Sequence, residues 1–412
     1  MLSNQFCTLK ISKTQLENHL KQIGYWGTPF LEKRNEFVLS PCGYLVSKKQ
    51  QAELEKISKA IFSSLDSVAK KIHILAEDTP LTRQDQEFFG IATRGSKKLL
   101  VPSETSDGEI PPMIKVDMVQ DSEGNYFVVE VDAYNPRGLG FNALLDSIAS
   151  LDPDQNKTCQ TTSYLANLLK KFNSNGKIFY LVSEHERYYE PSFRILQKAL
   201  LNFNVEMTLI RENGCSDVSG FIEMLNNETN GSLFMIPESL DNKALKTALL
   251  EGYKNNTLKL FFPPKAYLGS KLLLPYLREQ NGVNGFIPLT KLMSKNHDIK
   301  MLEIDKKFVL KAGQSSGMKG VLFSDLNEEA FLKRFTQEKK KKRPSWVLQQ
   351  HVPQTSLPLK VFNGKGETFQ NYYLRIIAQF SVDGLIGLDI TGRPDRMVHG
   401  APDCVMLPAV LC

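Results

Sequence analysis

Residues 1–110 place their hydrophobic positions mainly at helical spacing. The segments SKTQLENHLKQI and KQQAELEKISKAIFSSLDSVAKKI carry apolar side chains three and four positions apart, which is the pattern of an amphipathic helix that buries one face. The first segment also begins with a serine, a residue type that caps helix N-termini. We therefore predict that residues 1–110 form a mostly helical N-terminal region.

The pattern changes to strict alternation in KVDMVQDSEGNYFVVEVD, residues 115–132. Alternation predicts two half-buried strands, and residues 122–125, Ser-Glu-Gly-Asn, have turn-forming chemistry. A hairpin closed at this turn places Asp117 opposite Glu130 and Lys115 opposite Asp132. With period two, one face of the predicted hairpin carries Lys115, Asp117, Val119, Val128, Glu130 and Asp132.

Like charges directly opposite each other destabilise a strand pair, so the facing carboxylates of Asp117 and Glu130 need a positive partner. A carboxylate group without His or Cys suits a hard cation such as Mg²⁺. The alternative is a solvent-facing hairpin whose acids are hydrated. We favour the metal because Glu130 lies inside the apolar run YFVVEV, where an unpaired charge is costly.

An α/β unit follows between about residues 176 and 263. The segment KIFYLVSEHERYYEPSFRILQKALLNFNVEMTLI is typical of strand, loop, helix and strand, and SLFMIP and KLFFPP indicate further strands. This order predicts a parallel sheet. Such sheets bind ligands at the carboxyl ends of their strands, which makes Glu184, Arg187 and Glu190 candidate substrate contacts. An ordinary polar loop is the alternative.

The chain becomes rich in strands from residue 308 onward, in FVLKAG, SWVLQQHV and the hairpin-like NYYLRIIAQFSVDGLIGLDIT. In VLKAGQSSGMKGVLF, Lys311 ends a strand and precedes a loop of small residues, which would allow backbone N–H groups to approach a polyphosphate. A plain β-hairpin turn is the alternative. Gln349 is either a satisfied buried amide or, together with Val352, a reader of an adenine edge.

Composition and charge exclude several classes of protein. The 412 residues are 42% hydrophobic and 23% charged, with a net charge of +6, which is ordinary for a soluble globular protein and does not argue for nucleic acid. No apolar run is long enough to span a membrane. Six scattered cysteines lack metal-ligand spacing and indicate reduced thiols. We expect a cytoplasmic protein that binds neither nucleic acid nor membranes.

The segment KVDMVQDSEGNYFVVEVDAYNPRG resembles the metal-binding hairpin of ATP-grasp ligases. In that family the hairpin follows the ATP lysines, whereas here it precedes both the loop VLKAGQSSGMKG and the strand WVLQQHV. This order is similar to that of the circularly permuted ATP-grasp proteins, among them glutathionylspermidine synthase. The segment LKLFFPPKAYLGSKLLLPYL is also similar to theirs, and the resemblance covers about residues 115–395.

The resemblance implies an α/β fold: a circularly permuted ATP-grasp with a parallel-sheet pre-ATP-grasp-like domain and a helical N-terminal region. ATP and Mg²⁺ are the implied cofactors. The domains expected on this basis are a helical region at 1–110, a hairpin and helices of the ATP-grasp core at 111–175, the α/β domain at 176–290, and an ATP-binding module at 291–412.

Roles in such a site are implied residue by residue. The implied Mg²⁺ ligands are Asp117, Glu130 and Asp132. The implied ATP contacts are Lys271, Lys311, Gly313, Ser315, Ser316, Gly317, Lys319, Gln349 and Val352. Lys115 stands where the family has a catalytic arginine, and Asp132 replaces its asparagine. Arg137 and Arg375 are candidates for the missing guanidinium, with an ordinary surface or packing arginine as the alternative for each.

The implied activity is that of an ADP-forming ligase that joins a carboxylate to an amine through an acyl-phosphate, as in peptide bond formation. Its partners would be a small-molecule carboxylate and a small-molecule amine, which we expect to be an amino acid, a short peptide or a polyamine. The alternative is a nucleotide-binding regulatory or scaffold protein of the same fold without ligase activity. A kinase on a similar fold is a third possibility.

Overall fold

A computed structural model describes ten stretches of the chain, namely residues 5–26, 37–77, 110–134, 138–154, 161–237, 239–293, 307–313, 320–341, 345–363 and 366–412.

The strands are β1 Phe6–Thr8, β2 Cys42–Val46, β3 Met113–Gln120, β4 Tyr126–Asp132, β5 Lys177–Val182, β6 Glu206–Arg211, β7 Ser232–Met235, β8 Lys259–Phe262, β9 Thr290–Leu292, β10 Phe308–Ala312, β11 Val321–Phe323, β12 Trp346–Gln350, β13 Leu357–Asn363, β14 Gly366–Ser381, β15 Gly384–Arg393 and β16 Val405–Leu411. The α-helices are α1 Lys13–Gln22, α2 Lys48–Glu77, α3 Leu139–Ala149, α4 Thr161–Phe172, α5 Glu190–Leu201, α6 Val218–Thr229, α7 Lys243–Lys254, α8 Leu274–Arg278 and α9 Glu328–Lys339.

The largest sheet has the strand order β1-β2-β16-β15-β14-β3-β4, with β13 also paired to β14. One face packs against α2, whose apolar residues at helical spacing share a core cluster with Val116, Met118 and Ile376 of the sheet. The other face contributes to a second cluster together with α3, α4 and α5. The amphipathic pattern in the sequence therefore correctly indicated α2. None of the described helices is long and apolar enough to cross a bilayer.

Two short strands accompany the helices of the N-terminal region. β1 pairs with β2, and β2 pairs in parallel with β16, so that Tyr44 lies opposite Ala409. The prediction of a mostly helical region did not include these strands. The partner strand β16 lies more than 350 residues from β2 in sequence, so no local pattern in the sequence reports that pairing.

The predicted parallel sheet is confirmed. Its four strands have the order β6-β5-β7-β8, and every pairing is parallel. The helices between the strands are α5, α6 and α7, as the strand-helix alternation of the sequence requires.

A third sheet, antiparallel, has the order β11-β10-β12-β9. The predicted strands FVLKAG and WVLQQ become the neighbours β10 and β12, and Lys311 pairs with Val347 on one side and with Val321 on the other. The predicted hairpin of β14 and β15 is also present. These two confirmed features carry the residues that form the cavity described below.

The β3–β4 hairpin has the predicted register, with Asp117 opposite Glu130 and Lys115 opposite Asp132. The prediction that Val128 shares their face is wrong, because a β-bulge shifts the pairing so that Val128 lies opposite Met118. Val128 is buried in the core with Met118. The extra residue is Val129, and bulges of this kind re-aim side chains and backbone groups near functional sites.

Candidate functional site

One cavity brings the hairpin, the antiparallel sheet and β14 together. It has a volume of about 90 Å³ and joins a wider mouth of about 480 Å³ through shared residues such as Gln354 and Arg396. The inner cavity is lined by Asp117, Val119, Val129, Glu130, Val309, Lys311, Val321, Phe323, Gln349, Gln350, His351, Val352, Gln354, Leu374, Arg375, Arg396 and Val398. Residues predicted to bind metal, phosphate and adenine thus meet in one place.

Two lysines lie buried beside the hairpin. The ammonium group of Lys311 donates to the carbonyl oxygen of Val129 at 2.8 Å, which is the backbone group that the bulge presents. The ammonium group of Lys271 lies 2.9 Å from the Glu130 carboxylate. The backbone N–H of Lys271 donates to Gly313 at 3.0 Å, so the segment containing Lys271 is fixed to the end of β10.

The pKa of Lys311 is lowered to about 8. Burial is the main cause, and the neighbouring charge of Lys271 acts in the same direction, while Glu130 and Asp117 oppose it. The protein balances the positive charge of Lys311 only in part, since the hydrogen-bond partner of its ammonium group is an uncharged carbonyl. An anionic ligand in the cavity would supply the missing negative charge.

Asp117 is buried, and two cations lie near its carboxylate. Its carboxylate oxygens lie 3.6 Å from Lys115 Nζ and 3.5 Å from Arg375 Nη1. Burial raises the pKa of Asp117, but the surrounding cations, chiefly Lys115 and Arg375 with Lys271 and Lys311, together lower it below its usual value. Burial lowers the pKa of Lys115, and Asp117, Asp132 and Glu130 outweigh that effect and raise it.

The three predicted metal ligands are not equivalent. Asp117 and Glu130 line the cavity, whereas Asp132 lies opposite Lys115 and accepts the backbone N–H of Tyr134 at 3.0 Å. Among the described residues, no group of three or more His, Cys, Asp or Glu side chains could hold a metal ion. Asp117 and Glu130 fit Mg²⁺, because it needs only one or two carboxylates when phosphates and water complete its shell, and Asp117 Oδ1 has no hydrogen-bond partner in the described part of the chain.

The predicted adenine contacts occupy β12 and the residues after it. Gln349 and Val352 line the cavity. The amide nitrogen of Gln349 donates to Thr290 Oγ1 at 3.0 Å, which favours the interpretation of its amide as a satisfied buried group.

Gly313 stands at the end of β10, where a Cβ would lie 2.5 Å from Leu272 Cγ. The remaining predicted site residues, Arg137, Ser315, Ser316, Gly317 and Lys319, lie outside the described residues.

Sequence reasoning missed the mouth of the cavity. Arg396 Nη1 lies 2.8 Å from Asp325 Oδ2, and Lys307 Nζ lies 3.0 Å from the same oxygen. Met397 packs against Val321 and its neighbours on the antiparallel sheet. Burial raises the pKa of Asp325, but its hydrogen bonds to Arg396 and Lys307 dominate and lower the pKa to about 2. The signal available in the sequence was a Gly- and Pro-containing loop directly after a strand.

The candidate contacts at the carboxyl edge of the parallel sheet lie apart from this cavity, whose lining includes none of them. Glu190 is buried and accepts hydrogen bonds from Arg194 and Arg211. Arg187 pairs with Glu184 at 3.0 Å. Glu190 therefore links the start of α5 to the end of β6.

Comparison with known proteins identifies the fold. No family model and no curated protein matches the chain. Among solved structures, the chain is similar to a glutathione synthetase-like effector from Globodera pallida in its apo form, with 12% sequence identity, 98% of each chain covered and a TM-score of 0.53. Such a likeness shows a mixed α/β fold similar to that of a glutathione synthetase-like protein.

Proposed function

We propose that the protein is a Mg²⁺- and ATP-dependent, ADP-forming carboxylate–amine ligase with a circularly permuted ATP-grasp fold. The observation that carries the proposal is the cavity in which the buried Lys311, the carboxylates of Asp117 and Glu130, and the residues after β12 converge. The likeness in fold to a glutathione synthetase-like effector supports it. The domain boundaries predicted from the sequence form part of the same proposal.

The chemistry needs an environment that neutralises charge without a nucleophilic side chain. A substrate carboxylate attacks the γ-phosphate of ATP, and an amine then displaces phosphate from the acyl-phosphate. Lys311 and Lys271 would bind phosphate oxygens, and Asp117 and Glu130 would hold Mg²⁺. When bound, Mg²⁺ supplies charge neutralisation between the phosphates and these carboxylates. Arg375 Nε has no hydrogen-bond partner among the described residues, and we expect this side chain to bind an anionic group.

The order of the elements supports the permutation. The acidic hairpin, β3 and β4, precedes the antiparallel sheet that carries Lys311 and β12, yet the folded chain brings the hairpin and that sheet to one cavity. A permuted chain reaches the same spatial arrangement with a different order of segments.

A nucleotide-binding scaffold without ligase activity is the second candidate. It is favoured by the ion pairs within the site, because Glu130 already pairs with Lys271 and Asp117 lies near Lys115 and Arg375. Lys115 also lacks the planar, bidentate fork of an arginine. These features are compatible with nucleotide binding and weaken the case for rapid turnover.

The test is ADP release from the full chain with Mg²⁺ and ATP, screened over pairs of amino acids, short peptides and polyamines. Release that requires both a carboxylate and an amine supports the ligase. Tight binding of a non-hydrolysable ATP analogue without release from any pair supports the scaffold. Phosphorylated product formed without an amine would instead indicate a kinase.

A further inference from the structure

Lys271 lies on a short segment that bridges the acidic hairpin and the antiparallel sheet. The segment, residues 266–273, consists of two short 3₁₀ turns, Ala266–Gly269 and Lys271–Leu273. It follows β8 of the parallel sheet and contacts β4 on one side and β10 and β12 on the other. We call this segment the lysine turn.

The first half of the lysine turn lies against the hairpin. A Cβ on Gly269 would lie 2.9 Å from Asp132 Oδ1 and 3.6 Å from Tyr134 Cβ. Two residues later, the ammonium group of Lys271 reaches Glu130 of the same hairpin. The backbone of the turn therefore approaches β4 closely enough for its lysine to pair with a residue of that strand.

The second half of the lysine turn lies against Gly313, at the end of β10. The carbonyl oxygen of Gly313 accepts the backbone N–H of Lys271 at 3.0 Å, and the N–H of Gly313 donates to the carbonyl oxygen of Ser345 at 3.0 Å. Both backbone polar groups of Gly313 are thus bonded within the protein. Its φ lies outside the left-handed region, so the backbone conformation does not require a glycine here.

The side chain of Leu272 explains the glycine. A Cβ on Gly313 would lie 2.5 Å from Leu272 Cγ, 2.8 Å from Cδ1 and 3.0 Å from Cδ2, whereas carbon atoms in contact are about 3.5–4.0 Å apart. Leu272 is 3% exposed and packs with Val347 of β12. It therefore occupies the volume that a side chain at position 313 would need. We call this space between Gly313 and Val347 the socket.

We infer that Leu272 is a positioning residue for the proposed nucleotide site: by filling the socket, it holds Lys271 against Glu130. Leu272 and Lys271 are neighbours in sequence, so a displacement of Leu272 from the socket would also displace Lys271. The inference rests on the proposed function only in that Lys271 binds phosphate there. The placement of Lys271 by the socket does not depend on that role.

A displaced Lys271 should change the site selectively. Its charge acts on Lys311 and Asp117, which line the cavity. The expected adenine contacts, Gln349 and Val352, belong to β12 and the residues after it and not to the lysine turn. The inference therefore predicts weaker binding of a nucleoside triphosphate without the same loss for the nucleoside.

The first test asks whether the socket acts through Lys271. Gly313→Ala places a methyl group in the socket. We expect the affinity of the full chain for a non-hydrolysable ATP analogue, measured by calorimetry with Mg²⁺, to fall about 10-fold, because a charge-assisted contact is lost. The affinity for adenosine should be retained. Since the effect passes through the ammonium group of Lys271, Gly313→Ala should have no further effect in the Lys271→Met background.

A compensating substitution provides the rescue. In Gly313→Ala/Leu272→Ala the shorter side chain leaves room for the methyl group, so the double variant should bind the analogue more tightly than Gly313→Ala alone. Leu272→Ala alone empties the socket and gives the same test if Gly313→Ala folds poorly.

Two controls match these substitutions elsewhere in the chain. A Cβ on Gly214 meets nothing within 4 Å, and Leu225 is a fully buried leucine in the core of the parallel-sheet unit. Gly214→Ala and Leu225→Ala should both bind the analogue as the wild type does, although Leu225→Ala lowers the free energy of unfolding.

A second measurement needs no nucleotide. Acetylation by a water-soluble active ester, followed by mass spectrometry, reports how accessible each lysine amine is. Lys271 is 4% exposed and should react slowly in the wild type. In Gly313→Ala we expect it to react at least ~10-fold faster, because local displacement exposes a buried group to the reagent. Lys115 of β3 is the internal reference and should keep its rate.

The outcomes separate the positioning role from the proposed function. The inference is overturned by a loss of analogue affinity that persists in the Lys271→Met background, by an equal loss for adenosine, or by the absence of rescue. An unchanged acetylation rate of Lys271 in Gly313→Ala overturns it without any nucleotide. If the wild type does not bind the analogue but acetylation of Lys271 follows the socket, the nucleotide function fails while the positioning of Lys271 by Leu272 is supported.

Discussion

Two buried carboxylates in this molecule are held in very different ways. Glu190, in the parallel-sheet unit, is 1% exposed and receives hydrogen bonds of 2.6 Å from Arg194 and 3.0 Å from Arg211. Asp117, in the hairpin, is 4% exposed, and its nearest cations, Lys115 and Arg375, lie 3.6 and 3.5 Å away.

The difference distinguishes a structural charge from one available to a ligand. Short charge-assisted hydrogen bonds use the oxygens of Glu190 fully. Asp117 Oδ1 makes no hydrogen bond to any residue that the structure describes, although Asp117 lines the cavity beside Lys311. The sequence made Asp117 a candidate metal ligand and Glu190 a candidate substrate contact, and only the number of hydrogen bonds at each carboxylate separates the two.

The largest effect should come from Lys311→Met, which removes the buried cation of the nucleotide cavity. We expect the affinity for a non-hydrolysable ATP analogue, measured by calorimetry, to fall about 100-fold, because a preorganised donor in a dry site contributes several kcal/mol.

Lys177→Met is the control for that variant, since Lys177 pairs with Glu206 at 3.6 Å and both side chains are about half exposed. Its affinity for the analogue should match the wild type. Equal affinities in all three proteins would remove Lys311 from the nucleotide site.

A pair of matched substitutions tests the comparison directly. Glu130→Gln should reduce the gain in analogue affinity that Mg²⁺ provides by at least ~10-fold, because an amide holds a hard cation less well than a carboxylate. Glu190→Gln should leave that gain unchanged and lower the free energy of unfolding by about 2 kcal/mol. Calorimetry and urea denaturation measure the two quantities.

An interchange of these two results would show that the functional and structural assignments of the carboxylates are reversed. Circular dichroism of both variants establishes that each is folded before the affinities are compared.

The local parts of the site could be predicted from the sequence. Alternation and turn chemistry gave the register of Asp117 against Glu130, and the strand before the small-residue loop placed Lys311 correctly on β10. The bulge at Val129 had no signal, because an extra residue in one strand is defined only by its partner strand.

The non-local features of the site could not be predicted from the sequence. Asn142 and Asp389 meet across 247 positions of sequence, and the β14–β3 pairing that aligns Gln379 with Lys115 joins equally distant segments. Asn142 and Asp389 do not lie in a motif. Their contact depends on the order of strands in the sheet, which the periodicity of the sequence does not determine. The mouth, whose lining includes Lys307 and Arg396, also joins segments that are distant in sequence.

Asp146 is a third case, a carboxylate with no ion pair in the described residues, whose pKa burial raises to about 8. Between about pH 4 and pH 8 the folded state keeps a proton that the unfolded state loses, so stability should fall as pH rises through this range and level off above it. The neighbouring Asp389 shifts in the same direction, through its own burial and the charge of Asp146.

Asp146→Asn should therefore flatten the pH profile. Between pH 5 and pH 8, we expect the free energy of unfolding of the variant to rise by about 1–2 kcal/mol relative to that of the wild type. This is less than the whole pKa shift would give, because the side chain is only half-buried. Urea denaturation at three pH values measures the gain. Parallel profiles for the two proteins would contradict the raised pKa.

The smallest effect should come from Asp132→Asn, at the position intermediate between the two kinds of carboxylate. Asp132 lies opposite Lys115 and accepts the Tyr134 backbone N–H, and an asparagine oxygen can accept the same bond. We expect analogue affinity with Mg²⁺ to change by no more than about threefold, which is under 1 kcal/mol. A loss as large as that of Glu130→Gln would show that the charge of Asp132 also contributes to binding the ligand. A carboxylate that already accepts one backbone hydrogen bond would then still count as available to a ligand.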